Sequence, residues 1–290
     1  MRVRGTVIIL AALVAAVAGG SAVLVQPTTD AMRVVTTGRD PMILAVDARA
    51  GHVFAVNYND GSGPGSIDIL DEASGELQRV IPVGMFPHAM AVDDRRDRAF
   101  VANEDGLLGR MGDSLSVIDT RGGREIRRLP LHATTVTVGI DRVLRRVFIV
   151  LQNNRLQMLD AATLRSVGTI NLGFSPGAMV VDERHARVVL FGHAGGGAGH
   201  AIALDARSGR TLWTTAVGSA PLSLAVDSVQ DRVFVSDAGR AICTARMIYC
   251  RMLSTVSTLD GRTGRLLRTT SVGQDPNNMV VERPRGVCSL

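Results

Sequence analysis

Short apolar segments recur at regular intervals along residues 39–290. Six of them share one pattern that closes on an acid: PMILAVD at Asp47, PHAMAVD at Asp93, TVTVGID at Asp141, PGAMVVD at Asp182, PLSLAVD at Asp227 and PNNMVVE at Glu282. A second apolar segment follows the first five, with its central residue seven positions beyond the acid: Phe54, Phe100, Phe148, Val189 and Phe234. Nearly continuous apolar runs such as VFAV and VFIV predict strands that are buried on both faces.

Each repeat continues into a third and a fourth strand. The third segments end at Asp71, Asp119, Asp160, Asp205 and Asp260, and four of these five acids have a glycine four residues later. An Asp side chain can accept the backbone N–H groups of a turn, and glycine supplies the positive φ that closes it. A fourth segment then runs to a glycine, where the next repeat starts. The repeating unit is therefore predicted to be four short antiparallel strands.

The spacing of the units predicts the fold class. Successive acids at the ends of the first strands lie 46, 48, 41, 45 and 55 residues apart. Four strands per unit at this period are typical of propeller blades, whereas a two-layer sandwich would not repeat its sequence so faithfully. We expect an all-β protein: a β-propeller of four-stranded antiparallel blades over residues 32–290, with five full repeats and a partial sixth.

The motifs P-x-x-x-A-V-D, V-F-x-V-x-N and D-x-x-S/T-G, with V-G before the next proline, resemble those of YVTN-type, YncE-like propeller proteins. The resemblance covers residues 32–290 and implies the fold rather than a chemistry. Such proteins usually close seven blades. Here Met32 to Gly38 suggests a lone outer strand, and Pro276 to Leu290 suggests a first strand and part of a second. We expect either a product truncated from a larger ring, which is the favoured interpretation, or a ring with an exposed edge.

The N-terminal residues 1–25 have the pattern of a signal peptide or membrane anchor. Arg2 and Arg4 precede the apolar run from Thr6 to Val25, and Ala16-Val17-Ala18 offers a small-residue cleavage site. The run of residues 6–25 is long enough to span a bilayer uncleaved. Residues 26–31 are a polar linker. We therefore predict an extracytoplasmic protein, periplasmic or secreted, that contacts a membrane only if this segment stays attached.

Composition excludes some functions without naming one. Hydrophobic residues make up 46% and charged residues 20% of the chain, which is typical of a folded domain. Aromatic residues are only 3%, which argues against a single-strand nucleic-acid groove lined with rings. Every basic residue is Arg, so the net charge of +5 is weak evidence for an anionic partner. Arg-rich segments on the closure face or an outer strand are expected to be a solvated rim, such as Arg95, Arg96 and Arg98 or Arg124, Arg127 and Arg128. Nucleic acid is therefore not an expected partner.

The loops between second and third strands vary most in length. In a propeller these loops share a face with the entry segments of the blades, and function usually lies on variable loops held by a rigid frame. Two sets of residues fall there. His88 and His132 at blade entries are the catalytic candidates, and His193 and His200 in a glycine-rich loop join them as ligand-binding candidates. The plainer interpretation is four solvated histidines that never meet.

Asn57, Asn103 and Asp237 end equivalent second strands and are the other ligand-binding candidates. Oxygen ligands from several blades would suit Ca²⁺ or a catalytic divalent ion, but Asn and Asp also commonly cap a strand where it turns into a loop. No cofactor is predicted, and a divalent metal is the alternative.

Cys243 and Cys250 are a disulfide candidate in an oxidising compartment, with two unrelated reduced thiols as the alternative. Cys288 is left over. The segment Ala206 to Trp213 resembles one blade motif of quinone-dependent dehydrogenases, but it occurs once, so Trp213 is interpreted as packing on an outer strand.

The chain contains no GxSxG, HExxH, P-loop or CxxCH motif. We therefore predict an exported binding or scaffold module for a protein, an envelope polymer or a small ligand, more readily than an enzyme. The alternative is a lactonase-like hydrolase or isomerase with a metal or a His base at the channel mouth.

Overall fold

The repeats fold into four-stranded antiparallel sheets in a computed structural model. It describes residues 21–24, 33–59, 63–105, 113–193, 199–239, 241–243, 250–274, 276, 279 and 281. The chain divides into two compact units, Met1–Arg142 and Val143–Leu290. Among the described residues, no helix is long and apolar enough to cross a membrane.

Unit 1 contains eleven described strands: β1 Ser21–Leu24, β2 Arg33–Thr36, β3 Pro41–Asp47, β4 His52–Asn57, β5 Ser66–Asp71, β6 Leu77–Pro82, β7 Pro87–Asp93, β8 Arg98–Asn103, β9 Ser114–Asp119, β10 Arg124–Pro130 and β11 Thr135–Asp141. Strands β3–β6 form blade 1 and β7–β10 form blade 2, each with its strands in sequence order. Strands β1 and β2 pair with each other as a separate hairpin.

Unit 2 contains thirteen described strands: β12 Arg146–Leu151, β13 Arg155–Asp160, β14 Ser166–Asn171, β15 Ser175–Asp182, β16 Arg187–His193, β17 Gly199–Asp205, β18 Thr211–Val217, β19 Pro221–Asp227, β20 Arg232–Asp237, β21 Ala241–Cys243, β22 Cys250–Met252, β23 Thr255–Asp260 and β24 Leu266–Ser271. Strands β15–β18 form blade 4, and β19, β20, β23 and β24 form blade 5. The hairpin β21–β22 is inserted between the second and third strands of blade 5.

Blade 3 consists of β11–β14, and the boundary between the units falls in its first turn. The prediction of five full four-stranded repeats is therefore confirmed. Most of the predicted partial sixth blade lies outside the described residues. The predicted lone outer strand at Met32 to Gly38 is instead seen as β2, paired with the last residues of the predicted apolar N-terminal run. The rest of that run lies outside the described residues.

The second strand is the buried centre of blades 1 to 4, and it is covered less completely in blade 5, where Phe234 is only half-buried. Phe54, Phe100 and Phe148 are at most 1% exposed, as the continuous apolar runs predicted. In unit 1 a core cluster joins Phe54 and Ile67 of blade 1 to Val101 of blade 2. Because such strands are covered on both faces, nearly all their apolar surface is removed from water. Each Å² of apolar surface buried in this way stabilises the fold by about 25 cal/mol.

The turns between third and fourth strands have the predicted geometry. The acid accepts the backbone N–H of the residue three positions later, as Asp71 does from Ser74 at 2.7 Å and Asp260 from Thr263 at 2.9 Å. Hydrogen bonds from the residue three positions later hold the pKa of four of these carboxyl groups below the usual range: Asp71, Asp160, Asp205 and Asp260. The closing glycines have φ between +65° and +74°.

Residues on the outer strands pack on these turns of the next blade. The Trp213 indole N–H of blade 4 donates to the Gly261 carbonyl of blade 5 at 2.8 Å, and Trp213 is 7% exposed. Its equivalent in blade 1, Arg79, donates to the Gly122 carbonyl of blade 2 at 2.7 Å. The outer-strand packing predicted for Trp213 is confirmed.

Candidate functional site

The second-strand ends and the blade entries meet in a repeated arrangement. The Asn57 side-chain amide donates to the Ser66 hydroxyl at 3.0 Å, and that of Asn103 donates to the Ser114 hydroxyl at 3.1 Å. Asn57 and Asn103 are at most 1% exposed. A Cβ placed on the entry glycine Gly84 would lie 2.5 Å from the Asn103 Cγ. Only glycine fits there, so the entry chain lies directly on the buried amide.

Asp237 takes the same place in unit 2. Its carboxylate accepts the Thr255 hydroxyl at 2.6 Å, and a Cβ on the entry glycine Gly218 would lie 2.1 Å from its Cγ. Burial raises the pKa of Asp237 above the ordinary value. The three predicted strand-end ligands are thus each held by a hydroxyl of the neighbouring strand. The structure does not bring them into one site within either unit; Asn57 and Asn103 belong to successive blades.

The predicted histidines are distributed differently. His88 has one ring nitrogen, Nε2, 2.9 Å from the Thr135 carbonyl and the other, Nδ1, 3.2 Å from the Phe86 carbonyl. His132 is exposed. His193 and His200 occupy adjacent register positions of β16 and β17, where His200 pairs with Gly192. Neighbouring positions of a strand point to opposite faces, so His193 and His200 lie on opposite faces of blade 4.

A cavity of about 450 Å³ opens on the predicted loop face of unit 1. Its apolar wall is formed by Pro64 of the loop of blade 1, by Val83 and Met85 of the entry to blade 2, and by Pro130 at the end of β10. Its polar wall is formed by Asp105, Ser114 and Arg128. This volume lies in the range of pockets that take small ligands, which are mostly apolar with a few placed polar groups.

Hydrogen bonds fix the polar wall of the cavity. The Asp105 Oδ1 accepts the Met85 backbone N–H at 2.7 Å, and its Oδ2 accepts the Ser114 hydroxyl. The Asn103 amide donates to the same hydroxyl. The strand-end position therefore supports the cavity from behind through Ser114, which is 4% exposed.

A second acid lies beside this wall. Asp113 is 4% exposed and accepts the Thr135 backbone N–H at 3.0 Å. Burial raises the pKa of Asp113, and the negative charge of Asp105 acts in the same direction. The neighbourhood of the cavity is thus acidic, apart from Arg128 and His88.

Unit 2 contains a cluster of acidic and histidine side chains that the sequence motifs did not predict. One ligand atom each of Asp182, His185 and Asp231 lie within 4.8 Å of one another. The Arg187 guanidinium, 3% exposed, lies 2.8 Å from Asp182 Oδ2 and contacts Asp231 as well. Burial alone would raise the pKa of Asp182, but hydrogen bonds from Ser228 and His185 and the Arg187 charge lower it. The cation that balances this cluster is Arg187, so the arrangement is an ion-pair network between blades 4 and 5.

Cys243 and Cys250 are direct backbone partners in the β21–β22 hairpin. The loop between them lies outside the described residues, as does Cys288. The disulfide stays a prediction.

Repeated four-stranded blades and a ligand-sized cavity on the loop face define a β-propeller repeat protein with a scaffold or binding role. The chain belongs to the PQQ_2 family, described as outer membrane protein assembly factor BamB, which matches it over residues 63–244 and 152–286. The narrower YVTN-type assignment stays a prediction. No curated protein sequence matches the chain.

Many solved structures share the fold, and two of them are similar over most of this chain. Hydrazine synthase of Kuenenia stuttgartiensis is 15% identical over 88% of this chain and 70% of its own, with a TM-score of 0.67. The β-propeller domain of Myceliophteria thermophila Cps50 (Swd1) is 9% identical over 86% of this chain and 90% of its own, with a TM-score of 0.56. At such identities the likeness shows the fold alone.

Proposed function

We propose that this protein is an exported binding propeller of the YVTN, YncE-like type that takes its ligand on the loop face of unit 1. The observation that carries this is the cavity of about 450 Å³ that the variable loops and the entry to blade 2 build together. Its polar wall is held in place by hydrogen bonds among Met85, Asp105 and Ser114. A preorganised wall lowers the cost of binding because little must be ordered when the ligand arrives.

Two observations support export to the periplasm or the medium. The N-terminal residues combine Arg2 and Arg4 with an apolar run, and cleavage after Ala18 would leave the β1–β2 hairpin intact. The family description also names an outer membrane assembly factor.

The alternative is a lactonase-like enzyme with His88 as the base. Both ring nitrogens of His88 already face backbone carbonyls, so neither nitrogen is directed at a substrate. The candidate metal ligands Asn57 and Asn103 are buried against their entry glycines. Binding is therefore the function that this geometry supports best.

The test is retention of small molecules and proteins by the full chain recovered from the cell envelope. A Met85→Trp variant fills the cavity, and Met42→Trp is the matched control because Met42 is 59% exposed on blade 1 and does not line the cavity. We expect wild type and Met42→Trp to retain the same compound, identified by mass spectrometry, and Met85→Trp to lose it. Equal retention by all three proteins would contradict binding at this cavity, and recovery of the chain from the cytoplasm alone would contradict export.

A further inference from the structure

The cavity of unit 1 carries charges of opposite sign on one wall. Asp105 supplies a carboxylate and Arg128 a guanidinium, and the two charges are close enough to stabilise each other. Between them and around them the lining is apolar, from Pro64, Met85 and Pro130. A ligand that matches this wall has a cationic end, an anionic end and an apolar body.

The Asp105 carboxylate is fixed in place by hydrogen bonds but retains free acceptor sites. Each of its oxygens accepts one hydrogen bond, from the Met85 N–H and from the Ser114 hydroxyl. A carboxylate has about four acceptor sites in all. The remaining lone pairs can accept N–H donors from a ligand ammonium group, and the acid Asp113 nearby adds to the attraction for a cation.

The Arg128 guanidinium is similarly oriented with donors to spare. Its Nε and Nη2 donate to the two Glu125 oxygens at 2.9 and 2.8 Å, a bidentate pair that fixes the plane of the group. Among the described residues, no acceptor is bonded to its Nη1. The side chain is 42% exposed, so Nη1 is accessible to a carboxylate that enters the cavity.

We propose that the cavity binds a small zwitterion, a free amino acid or dipeptide with an apolar side chain. Its ammonium group would lie at Asp105, its carboxylate at Arg128 and its side chain against Met85 and Pro130. This inference rests on the proposed binding function and names the class of ligand at the same cavity. The volume of about 450 Å³ suits a ligand of this size.

The test titrates the full chain with three related probes by calorimetry: leucyl-leucine, its N-acetyl derivative and its C-terminal amide. Acetylation removes the cationic end, and amidation removes the anionic end. We expect the free dipeptide to bind at least about tenfold more tightly than either derivative, as the loss of one ion-pair contact of about 1.4 kcal/mol would give.

Two variants assign the ends of the ligand. Asp105→Asn keeps an oxygen for the Met85 N–H, and we expect it to abolish the preference for the free over the acetylated dipeptide. Arg128→Gln should abolish the preference for the free acid over the amide. Arg124→Gln is the matched control, since Arg124 lies on the same strand with its side chain 75% exposed and does not line the cavity. Thermal melting checks that each variant is folded. If Asp105→Asn does not fold, Arg128→Gln, which lies at an exposed position, tests the zwitterion proposal by itself.

Equal affinity for the three probes, or preferences that survive both variants, would overturn the zwitterion assignment. Failure of the dipeptide to bind would also overturn it. In that case the retention experiment with Met85→Trp still decides the proposed function separately, because it does not presuppose the chemistry of the ligand.

Discussion

The last position of the second strand carries a neutral side chain in blades 1 and 2 and an ionisable one in blade 5. Asn57 and Asn103 offer a neutral amide to a serine hydroxyl, whereas Asp237 places a carboxylate at the same place, 1% exposed. No cation pairs with that carboxylate among the described residues. A buried charge without a partner costs free energy that an amide of the same shape does not.

Replacing Asp237 by Asn, the residue of blades 1 and 2, should stabilise the protein near neutral pH by about 1 kcal/mol. Asn keeps the oxygen that accepts the Thr255 hydroxyl. Burial raises the pKa of Asp237 in the folded state. The wild type therefore loses stability as the pH rises from the ordinary pKa of an Asp through the raised one, and it loses none at pH values below the ordinary pKa. The gain in the free energy of unfolding should therefore be present near pH 7 and vanish by about pH 3. Urea denaturation at both pH values measures it, and a gain that does not depend on pH would contradict the argument. Asn103→Asp is the reverse control and should destabilise near pH 7.

At the scale of the element, the turn between third and fourth strands is the joint between blades. Blade 4 packs Trp213 there against the glycines of blade 5, and blade 3 packs Met158 and Ile170 against Gly209 of blade 4. In blade 3 itself the closing position is Leu164, with φ of +59°. That leucine is 6% exposed, so its burial offsets the strained backbone.

Gly264→Ala and Gly173→Ala separate the two demands on a turn glycine. Both residues have φ of +72°, but a Cβ on Gly264 would lie 2.6 Å from the Trp213 ring, whereas nothing lies within 4 Å of one on Gly173. Gly173→Ala should cost only the conformational strain, about 1 kcal/mol. Gly264→Ala should cost about 3 kcal/mol because the ring must also move. Trp213 is the single tryptophan, so its emission should shift to the red in Gly264→Ala alone. An equal loss of stability in the two variants would show that the Trp213 ring can move away from Gly264 without cost.

The elements were largely predictable because their signals are local. The run VFAV specifies a strand covered on both faces, and Asp71 with Gly75 specifies a turn within five residues. What joins the blades was harder to predict. Arg79 and Trp213 are equivalent in register but differ in chemistry, and their contacts lie more than forty residues ahead in the chain.

For the whole molecule, the loop face was predicted and the site only in part. Loop length pointed to the loop that contains Asp105, and the shared face added the entry to blade 2, which contains Met85. Both residues line the cavity. For Arg128 the sequence predicts only a solvated rim, since nothing local shows that an outer strand reaches the loop face. The position of His88 at a blade entry makes it a catalytic candidate. Its ring contacts the carbonyls of Phe86, in the entry of its own blade, and of Thr135, which only the folded chain brings close.

Export and the hairpin of blade 5 together predict a disulfide between Cys243 and Cys250. Directly opposite residues of an antiparallel pair have Cβ atoms at about the spacing that a disulfide needs. Cys243 and Cys250 hold such a pair of positions. Protein from an oxidising compartment should therefore lack two titratable thiols and be lighter by two hydrogens in intact-mass spectra. Cys250→Ser should restore the free thiol of Cys243, while Cys288→Ser should leave the pair oxidised. Three free thiols in folded, exported protein would refute the bridge.

The contact between an outer strand and the following turn also bears on how such a chain can be recombined. A segment copied from one entry glycine to the next carries Trp213 away from Gly264, or delivers Gly264 without its indole. Any crossover between Trp213 and Gly264 in the chain separates the same pair, whether it falls in the variable loop or in the third strand of blade 5. A crossover placed just after the closing glycine, before the outer strand begins, keeps the outer strand of one blade and the whole turn of its neighbour on one fragment. Chimeras with related propellers should therefore tolerate segments exchanged from just after one closing glycine to just after the next, because both partners of this joint are then inherited together.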